Sequence, residues 1–244
     1  LIGCFVAQIA TIREQHRIES FRSNFVHAMI HELKRPIATL KMCVSYMGNE
    51  QLMQDVASRQ TVIADSHLAL DSLSAYFAKL RDLTFSRATE IPLNLSSFSL
   101  RDLLNICIGK LNPSNNKKVV VNLHPDTDIT ITADKIHLIN IIDNLLENAV
   151  KYSREDVHIE IDYQEQDNDS IRISVKDNGL GISKSDSRHI FEKFYRSRAV
   201  IDKGIPGMGL GLTYVRMLVE AHRGTIRIES EQTSGSTFII ELPQ

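Results

Sequence analysis

The stretch NLLENAVKYS, residues 144–153, places two asparagines and a lysine on one side of a predicted helix that Asp134 caps. Asn144, Asn148 and Lys151 are spaced i, i+4 and i+7, so they share one face. A solvated surface explains this face when the stretch is taken alone. However, asparagine is a mediocre helix former, because its amide competes with the backbone. Two neutral oxygens on one face suit a hard cation such as Mg²⁺, with the lysine near phosphate.

The second informative stretch is DNGLGI, residues 177–182, which follows a predicted strand. An ordinary turn is one interpretation, since Asp, Asn and Gly favour turns. In the functional interpretation, Asp177 accepts a hydrogen bond from an exocyclic amine at the strand end. Gly179 and Gly181 then allow a flat ring to approach the backbone.

The third stretch is GMGLGL, residues 207–212, which opens a predicted helix that ends at Gly224. Glycines at a helix start leave backbone N–H groups available to an anion, typically a phosphate. The pattern is neither a P-loop nor a dinucleotide fingerprint, because the spacing differs and no strand precedes it. Alone, this glycine pattern is a weak signal.

The segments around these stretches predict an α/β two-layer sandwich, with helices covering one face of a mixed sheet. A short amphipathic helix is expected from Ser99 to Leu111, followed by strands in KKVVVNLH and DITITA. Two hairpins are expected, one from VHIEIDY and SIRISVKD and one from GTIRIES and GSTFIIEL. The net charge of −2 gives no polybasic footprint for nucleic acid. The three cysteines lack CxxC spacing, which is typical of unpaired thiols in a reducing compartment.

The N-terminal part has helical periodicity instead. A first heptad seam proceeds in steps of four and three, in Val26, Ile30, Leu33, Ile37, Leu40, Val44 and Met47. A turn signal at residues 48–51 interrupts it. A second seam follows in Val56, Ile63, Leu70, Leu73, Phe77 and Leu80. We expect an all-α antiparallel hairpin that forms a homodimeric four-helix bundle, because one hairpin cannot bury seams of this length alone.

The apolar start of the chain, LIGCFVAQIATI, has two interpretations that stay open. Its spacing fits the start of a coiled coil. Its composition fits the inner end of a membrane helix, although twelve residues are fewer than the roughly 20 that span a bilayer. In the second case the membrane is reached through a segment upstream of residue 1.

The three stretches together, in this order, resemble the Bergerat-fold ATPases. Within that superfamily, NLLENAVKYS, VKDNGLGIS, IFEKFYRS, GMGLGL and GSTF closely resemble the N, G1, F, G2 and terminal glycine boxes of bacterial sensor histidine kinases. The resemblance covers residues 97–243. It implies ATP and Mg²⁺ as cofactors. The residues that it implies around the nucleotide and metal are Asn144 and Asn148 for Mg²⁺, Asp177 with Gly179 and Gly181 for adenine, Lys151, Tyr152 and Arg196 beside the nucleotide, and Gly207, Gly209, Leu210 and Gly211 at the phosphates.

The stretch NFVHAMIHELKRPIATL, residues 24–40, resembles the H box of the same kinases, which makes His31 the candidate phosphate acceptor. The seam supports this assignment independently, since Ile30 and Leu33 at a and d positions put His31 at an outward b position. Glu32 is a candidate base that holds one ring N–H. Arg35 stands where many members have Thr or Asn. A guanidinium has no acceptor to orient an attacking water, so weak phosphatase activity is expected.

The resemblance therefore implies the catalytic part of an ATP-dependent protein histidine kinase in a two-component system. Such a kinase phosphorylates His31 and passes the phosphoryl group to an aspartate of a response regulator receiver domain, on the cytoplasmic side of the bacterial inner membrane. A non-catalytic, nucleotide-switched dimeric scaffold is the alternative. The expected division is 1–13 as the lead-in, 14–88 as the dimerisation and phosphotransfer hairpin, 89–97 as a linker and 98–244 as the ATP-binding domain.

Overall fold

The structure is a computed structural model, and the residues that it describes are 30, 33–49, 54–84, 91–111, 117–153, 156–167, 169–205 and 207–244. Among the predicted features, the lead-in 1–13 and the residues His31 and Glu32 lie outside this set. The chain divides into two compact units, the first formed by residues up to Asp82 and the second mainly by residues from Leu83 onwards. Each unit is a separate body with its own secondary structure.

The first unit is helical throughout its described residues. Helix α1 covers residues 33–47 and helix α2 covers Val56–Thr84. The backbone N–H of Gly48 donates to the Val44 carbonyl at 3.2 Å, which ends α1 at the predicted turn signal. The Asp55 carboxylate accepts from a backbone N–H of the first turn of α2 at 2.9 Å and so caps that helix. In the part of the chain that the structure describes, neither these helices nor any other is long and apolar enough to cross a membrane.

The second unit mixes strands and helices. Its elements in chain order are β1 (Leu95–Ser99), α3 (Leu100–Gly109), β2 (Val119–His124), β3 (Thr130–Asp134), α4 (Lys135–Lys151), β4 (Val157–Gln166), β5 (Ser170–Asp177), a 3₁₀ turn (Asp186–Arg188), α5 (Arg198–Asp202), α6 (Gly211–Ala221), β6 (Thr225–Ser230) and β7 (Ser236–Pro243). The predicted helix and strand in each of these stretches is confirmed, with ends shifted by one or two residues.

Five strands form a mixed sheet in the order β2-β4-β5-β7-β6. Strands β2 and β4 are parallel, and the remaining neighbours are antiparallel. Both predicted hairpins are present, as β4–β5 and β6–β7. Strand β5 is central, so its last residue, Asp177, lies at the end of a strand that is paired on both sides.

One face of this sheet carries the core. Strand β4 alternates strictly, burying Val157, Ile159, Ile161 and Tyr163 and exposing the residues between them. The inward faces of α3, α4 and α6 are also buried, in Leu100, Leu103, Leu104, Leu138, Ile141, Ile142, Leu145, Leu146, Val215, Leu218 and Val219. Strands and helices thus bury one apolar face each against the other, and the predicted α/β two-layer sandwich is confirmed.

Two helix starts position this layer by local capping. The Ser99 hydroxyl accepts from the Asp102 N–H at 3.0 Å at the start of α3. The Asp134 carboxylate accepts from the His137 N–H at 3.0 Å at the start of α4, as predicted. The direction of α4 is therefore set one helix length before the asparagine face begins.

Strand β1 was not predicted. It pairs with β3 in a separate two-stranded sheet, so the end of the predicted linker 89–97 is structured. Ile91, also in that linker, is 6% exposed and joins the core of the second unit. The stretch LSSFS lacks apolar alternation, because its strand conformation depends on pairing with Thr130–Asp134 and not on a buried face of its own.

Candidate functional site

The asparagine face of α4 lies against the start of α6. A Cβ placed on Gly211, the first residue of α6, would lie 3.2 Å from Asn144 Oδ1 and 4.0 Å from Asn148 Nδ2. The Asn144 Nδ2 donates to the Asn140 carbonyl at 2.6 Å, which fixes the orientation of that amide. Both asparagines are half-buried. The structure thus brings together two side-chain amides and a helix start that are more than sixty residues apart in sequence.

The start of α6 has the properties of an anion site. Leu210 occupies the N-cap and is buried, and it makes no side-chain capping hydrogen bond. No acidic residue lies in the first turn. The first N–H groups of a helix have no partner within it, and the helix dipole adds partial positive charge there. An anionic group at this end would therefore find donors and a favourable field.

Asp177 is held by the loop that it begins. Its Oδ1 accepts from the Gly179 N–H at 2.7 Å. Burial raises the pKa of the Asp177 carboxyl, and the hydrogen bonds from the backbone of Gly179 and Ser236 lower it by less. The result is a carboxyl at a strand end whose ionised form the fold disfavours, which is a common property of functional carboxylates.

The C-terminal end of α4 supports the same loop. The Leu180 N–H donates to the Tyr152 carbonyl at 3.1 Å. A Cβ on Gly179 would lie 2.7 Å from Asp177 Oδ1 and 3.0 Å from the Tyr152 carbonyl oxygen, so only glycine fits there. Beside this contact, the Lys151 Nζ lies 5.6 Å from the Tyr152 ring centroid. The helix that carries the asparagines therefore also positions the loop that carries Asp177.

The turn between β6 and β7 closes the other side of this loop. The Thr233 N–H donates to the Leu180 carbonyl at 2.8 Å. Gly181, at φ +67°, approaches the Glu231 carbonyl so closely that a Cβ would lie 2.0 Å from its oxygen. The terminal glycine, Gly235, is equally close to the Asp177 carbonyl. Close backbone approach explains these glycines.

The segment before α6 is anchored at its base. The Phe194 N–H donates to the Gly209 carbonyl at 2.9 Å, and both residues have left-handed φ values, of +67° and +68°. Further along, the Arg196 guanidinium donates through Nη2 to the Ile205 carbonyl. Its Nε is buried and has no hydrogen-bond partner among the described residues. Gly207 also has a positive φ, of 150°.

The predicted site residues thus fall into linked groups within the second unit. Asn144 and Asn148 meet Gly211, while Tyr152, four residues further along the same helix, meets Gly179. Arg35 lies in α1 of the first unit, where its side chain is exposed. No contact of Arg35 with the groups of the second unit is part of this geometry.

Asn178 was missed by the sequence reasoning. Its Oδ1 accepts from the His158 N–H at 2.9 Å, and its Nδ2 donates to the Asp156 carbonyl at 3.1 Å. The side chain therefore continues the β4–β5 pairing beyond Asp177 and fixes where the loop leaves the sheet. The Asp-Asn-Gly sequence was the available signal, but the partners lie about twenty residues earlier in the chain.

The donor set fits a magnesium ion that is shared with a polyphosphate. Among the described residues, no group of three or more His, Cys, Asp or Glu side chains could hold a metal ion alone. Amide oxygens from Asn144 and Asn148 are hard, neutral ligands of the kind that Mg²⁺ accepts. Because Mg²⁺ retains waters and uses substrate phosphates, two such oxygens beside an anion site are sufficient.

Comparisons with known proteins agree with this geometry. Residues 133–244 match the family described as histidine kinase-, DNA gyrase B- and HSP90-like ATPases. The sensor protein RprX of Bacteroides fragilis is 28% identical over 247 residues, which cover 100% of this chain and 47% of RprX. The sensor histidine kinase WalK of Bacillus subtilis is also 28% identical, over 99% of this chain and 40% of WalK. The chain therefore spans less than half the length of these two curated relatives.

A solved structure extends the likeness in fold over most of the chain. Full-length ShkA, crystallised in complex with AMPPNP, has a TM-score of 0.61 and 23% identity, covering 91% of this chain and 45% of that one. The matched ATPase family begins at the end of β3 and so includes every site residue of the second unit. The chain belongs to the sensor histidine kinases and carries, in its C-terminal half, the ATPase domain that gives the matched family its description.

Proposed function

We propose that this chain is the catalytic part of a sensor histidine kinase, which phosphorylates its own His31 with ATP and passes the phosphoryl group to an aspartate of a response regulator receiver domain. One observation carries the proposal. A single helix, α4, presents Asn144 and Asn148 to the uncapped start of α6 and holds the Asp177 loop through Tyr152. A polyphosphate end and a base end are thereby aligned in one unit.

The nucleotide is proposed to bind with its base at Asp177 and its phosphates at α6. The Asp177 carboxylate would accept from the adenine amine, with Gly179 and Gly181 allowing the ring to approach. Gly207, Gly209, Leu210 and Gly211 would border the phosphates, with Lys151 and Arg196 supplying positive charge. Mg²⁺ at Asn144 and Asn148 would neutralise negative charge that develops on the transferring group. Both cofactor assignments remain proposals of residue roles.

The transfer chemistry is two successive displacements at phosphorus. A ring nitrogen of His31 attacks the γ-phosphorus, a P–N bond forms, and the P–O bond to ADP breaks. Glu32 is proposed to hold the other ring N–H so that the attacking nitrogen keeps its lone pair. An aspartate oxygen of the receiver domain then attacks the same phosphorus, and the P–N bond breaks. Positioning and charge neutralisation supply most of the catalysis in such transfers.

The helical unit is proposed to form a homodimeric four-helix bundle of two hairpins. Four apolar side chains of α2 spaced seven apart are exposed in the single chain: Val56, Ile63, Leu70 and Phe77. Ile30, Ile37 and Val44 repeat the same spacing in the first seam and are also exposed. Apolar stripes with heptad spacing are what a coiled-coil partner covers. A second copy of the chain supplies a matching pair of stripes.

The proposed location is the cytoplasmic side of the bacterial inner membrane. ATP and response regulators are available there, and the two described cysteines, Cys43 and Cys107, are buried free thiols, as a reducing compartment allows. Attachment to the membrane would run through a segment upstream of residue 1.

Incubation with γ-labelled ATP and Mg²⁺ tests the proposal. The wild-type chain is expected to acquire an acid-labile, base-stable label, and His31→Gln is expected to abolish it. The matched control is His67→Gln, because His67 is an exposed histidine on α2. Label that survives in His31→Gln but not in the control would assign the acceptor to another histidine.

The same assay separates the kinase from a nucleotide-switched scaffold. A scaffold would bind Mg–ATP and acquire no label, while a kinase labels and then loses label to a receiver domain. Binding without labelling, in a preparation shown to be dimeric, would therefore replace the kinase proposal with the scaffold.

The proposed phosphatase activity is weak because of Arg35. Its exposed guanidinium carries donors only and cannot accept a hydrogen bond from an attacking water. With ADP and a phosphorylated receiver domain, slow phosphate release is expected for the wild type, and Arg35→Thr is expected to accelerate it about tenfold or more. Rapid release by the wild type would contradict this part of the proposal.

A further inference from the structure

Lys117, which immediately precedes β2 by two residues, closes the C-terminal end of α4. Its ammonium donates to the Val150 carbonyl at 3.3 Å, to the Ser153 carbonyl at 3.1 Å and to the Ser153 hydroxyl at 2.9 Å. A lysine ammonium has three N–H donors, and three acceptors surround this one. Its positive charge also lies at the negative end of the helix dipole. The side chain is half-buried, and its orientation is fully defined by these contacts.

The main chain beside Lys117 is tied to the sheet. The Val157 N–H donates to the Lys118 carbonyl at 2.9 Å, where the parallel pairing of β2 with β4 begins. The lysine stem therefore projects from a fixed strand end. Lys117 acts as a strut between the sheet edge and the last turn of α4, which are otherwise joined only by the chain itself at this point of the contacts described above.

The residues held by this strut include Tyr152. It lies between the two residues that Lys117 binds, and its N–H donates to the Asn148 carbonyl at 2.9 Å. Its carbonyl accepts from the Leu180 N–H and limits position 179 to glycine. A displacement of the last turn of α4 would therefore move the docking point of the Asp177 loop, while Asn144, two turns earlier, would keep its place.

We propose that Lys117 is a positioning residue for the base-binding half of the nucleotide site. It touches neither the proposed nucleotide nor Asp177 and acts through Ser153, the Tyr152 carbonyl and the Leu180 N–H. This inference rests on the proposed function of the site. It implies that loss of the ammonium weakens nucleotide affinity without slowing the chemical step, because the residues proposed at the phosphates are not displaced.

The test compares Lys117→Met with Lys118→Met in the full chain. Methionine keeps the apolar stem and removes the three donors, and Lys118 is an exposed lysine next to Lys117, so the charge change is matched. We expect the Kd for Mg–ADP to rise about tenfold in Lys117→Met and less than twofold in the control. The KM for ATP should rise in parallel, with kcat for autophosphorylation within about a factor of two of wild type.

A second readout does not depend on nucleotide. Amide hydrogen exchange of Leu180 and Tyr152 in the nucleotide-free chain should accelerate about tenfold in Lys117→Met and remain unchanged in Lys118→Met. If wild type fails to bind Mg–ADP, the proposed function fails, and accelerated exchange at Leu180 still supports the positioning role. If Lys117→Met lowers only the unfolding temperature, with Kd and Leu180 exchange at wild-type values, Lys117 is a helix cap and the inference is overturned.

Ser153→Ala keeps the inference testable if Lys117→Met does not fold. It removes one of the three acceptors and leaves the ammonium in place, so a rise in Kd of about threefold is expected, whereas an unchanged Kd overturns the inference. Where both variants fold, their combination should weaken binding no more than Lys117→Met alone, since the hydroxyl acts through the ammonium. Additive effects would contradict the proposed route.

Discussion

At the scale of single residues, Asp177 exchanges stability for a possible contact with a ligand. Burial raises the pKa of its carboxyl, so the folded chain binds its proton more tightly than the unfolded chain does. The contribution of this group to stability is therefore full below its ordinary pKa of 3.8 and is lost as the pH rises through the raised value. At neutral pH the ionised carboxylate costs the nucleotide-free fold some stability. A hydrogen bond to a bound amine would offset that cost.

Asp177→Asn should separate the two effects. Asparagine retains an oxygen that accepts from the Gly179 N–H and removes the penalised charge. The variant is expected to be more stable than wild type at pH 7 and equally stable at pH 3, by urea unfolding of the nucleotide-free chain. Its Kd for Mg–ADP is expected to rise about 10- to 100-fold, because a hydrogen bond to a charged acceptor contributes about 1.5–3 kcal/mol.

The control for Asp177→Asn is Asp162→Asn, an exposed carboxylate on β4. It removes the same charge away from the candidate site, so neither the affinity nor the difference between pH 7 and pH 3 should change. If Asp177→Asn were less stable than wild type at pH 7 but not at pH 3, the ionised carboxylate would be stabilising, and the proposed exchange would be wrong.

At the scale of elements, two glycines with similar backbone conformations should differ in their tolerance of alanine. Gly204 has φ +64°, and a Cβ there would meet nothing within 4 Å. Gly235 has φ +86°, and a Cβ there would lie 1.9 Å from the Asp177 carbonyl oxygen. Gly204→Ala should cost about 1–2 kcal/mol in free energy of unfolding, the left-handed conformation alone. Gly235→Ala should cost at least about 3 kcal/mol, because the β6–β7 turn must also separate from β5.

Chemical denaturation of both glycine variants measures this difference, and Mg–ADP binding shows its consequence. Gly235→Ala should weaken binding because Asp177 moves with the turn, while Gly204→Ala should leave affinity within about twofold of wild type. Equal losses of stability would mean that the turn adapts and does not fix the position of the loop.

His222 joins the end of α6 to the start of α4 through a neutral ring. Its Nε2 accepts from the Asp134 N–H at 3.1 Å, and its Nδ1 donates to the Leu218 carbonyl at 2.7 Å. Burial lowers the pKa of His222 below its ordinary 6.5. The groups that face it are the His137 ring, edge-on with centroids 6.2 Å apart, and the Asp134 carboxyl. Protonation would place a second donor against the Asp134 N–H and break that hydrogen bond.

The folded chain therefore binds fewer protons at His222 than the unfolded chain. The stability from this junction is present above about pH 6.5 and is lost as the pH falls through the lowered pKa. His222→Gln can accept and donate without titrating, so its free energy of unfolding should fall less between pH 7 and pH 5 than that of wild type. The control is the exposed His158→Gln, whose pH dependence should match wild type. Parallel curves for all three proteins would contradict the prediction.

The elements that the sequence predicted are those whose signals are local. Asp134 and Ser99 cap their helices through hydrogen bonds to residues three positions away, and β4 alternates strictly because one of its faces is buried. The asparagine face and the three glycine stretches were found by spacing and resemblance. Strand β1 and the roles of Lys117 and Asn178 were not predicted. Their partners lie about 20 to 40 residues away, and no local pattern specifies such a pairing.

At the scale of the whole molecule, α2 carries two kinds of apolar position. Val62 and Ala69, seven residues apart, are 9% and 5% exposed. The next residues, Ile63 and Leu70, have the same spacing but are 45% and 49% exposed. Binary patterning identified the seam, but one sequence cannot show which positions a partner chain must cover. The described residues make this distinction, and they assign the uncovered stripe to Val56, Ile63, Leu70 and Phe77.

Replacing Ile63 and Leu70 together with glutamate should convert a dimer into monomers. Burial of each side chain contributes about 1.5–3 kcal/mol, and two positions in each of two copies are lost, so association should weaken by at least about 6 kcal/mol. Sedimentation at micromolar concentration should therefore show a dimer for wild type and a monomer for the double variant. Leu68→Glu is the control, because Leu68 is 67% exposed on the same helix but off the stripe, and it should remain dimeric. Mg–ADP affinity should be unchanged throughout, since the second unit has its own core. A double variant that still sediments as a dimer would show that this stripe is not the interface.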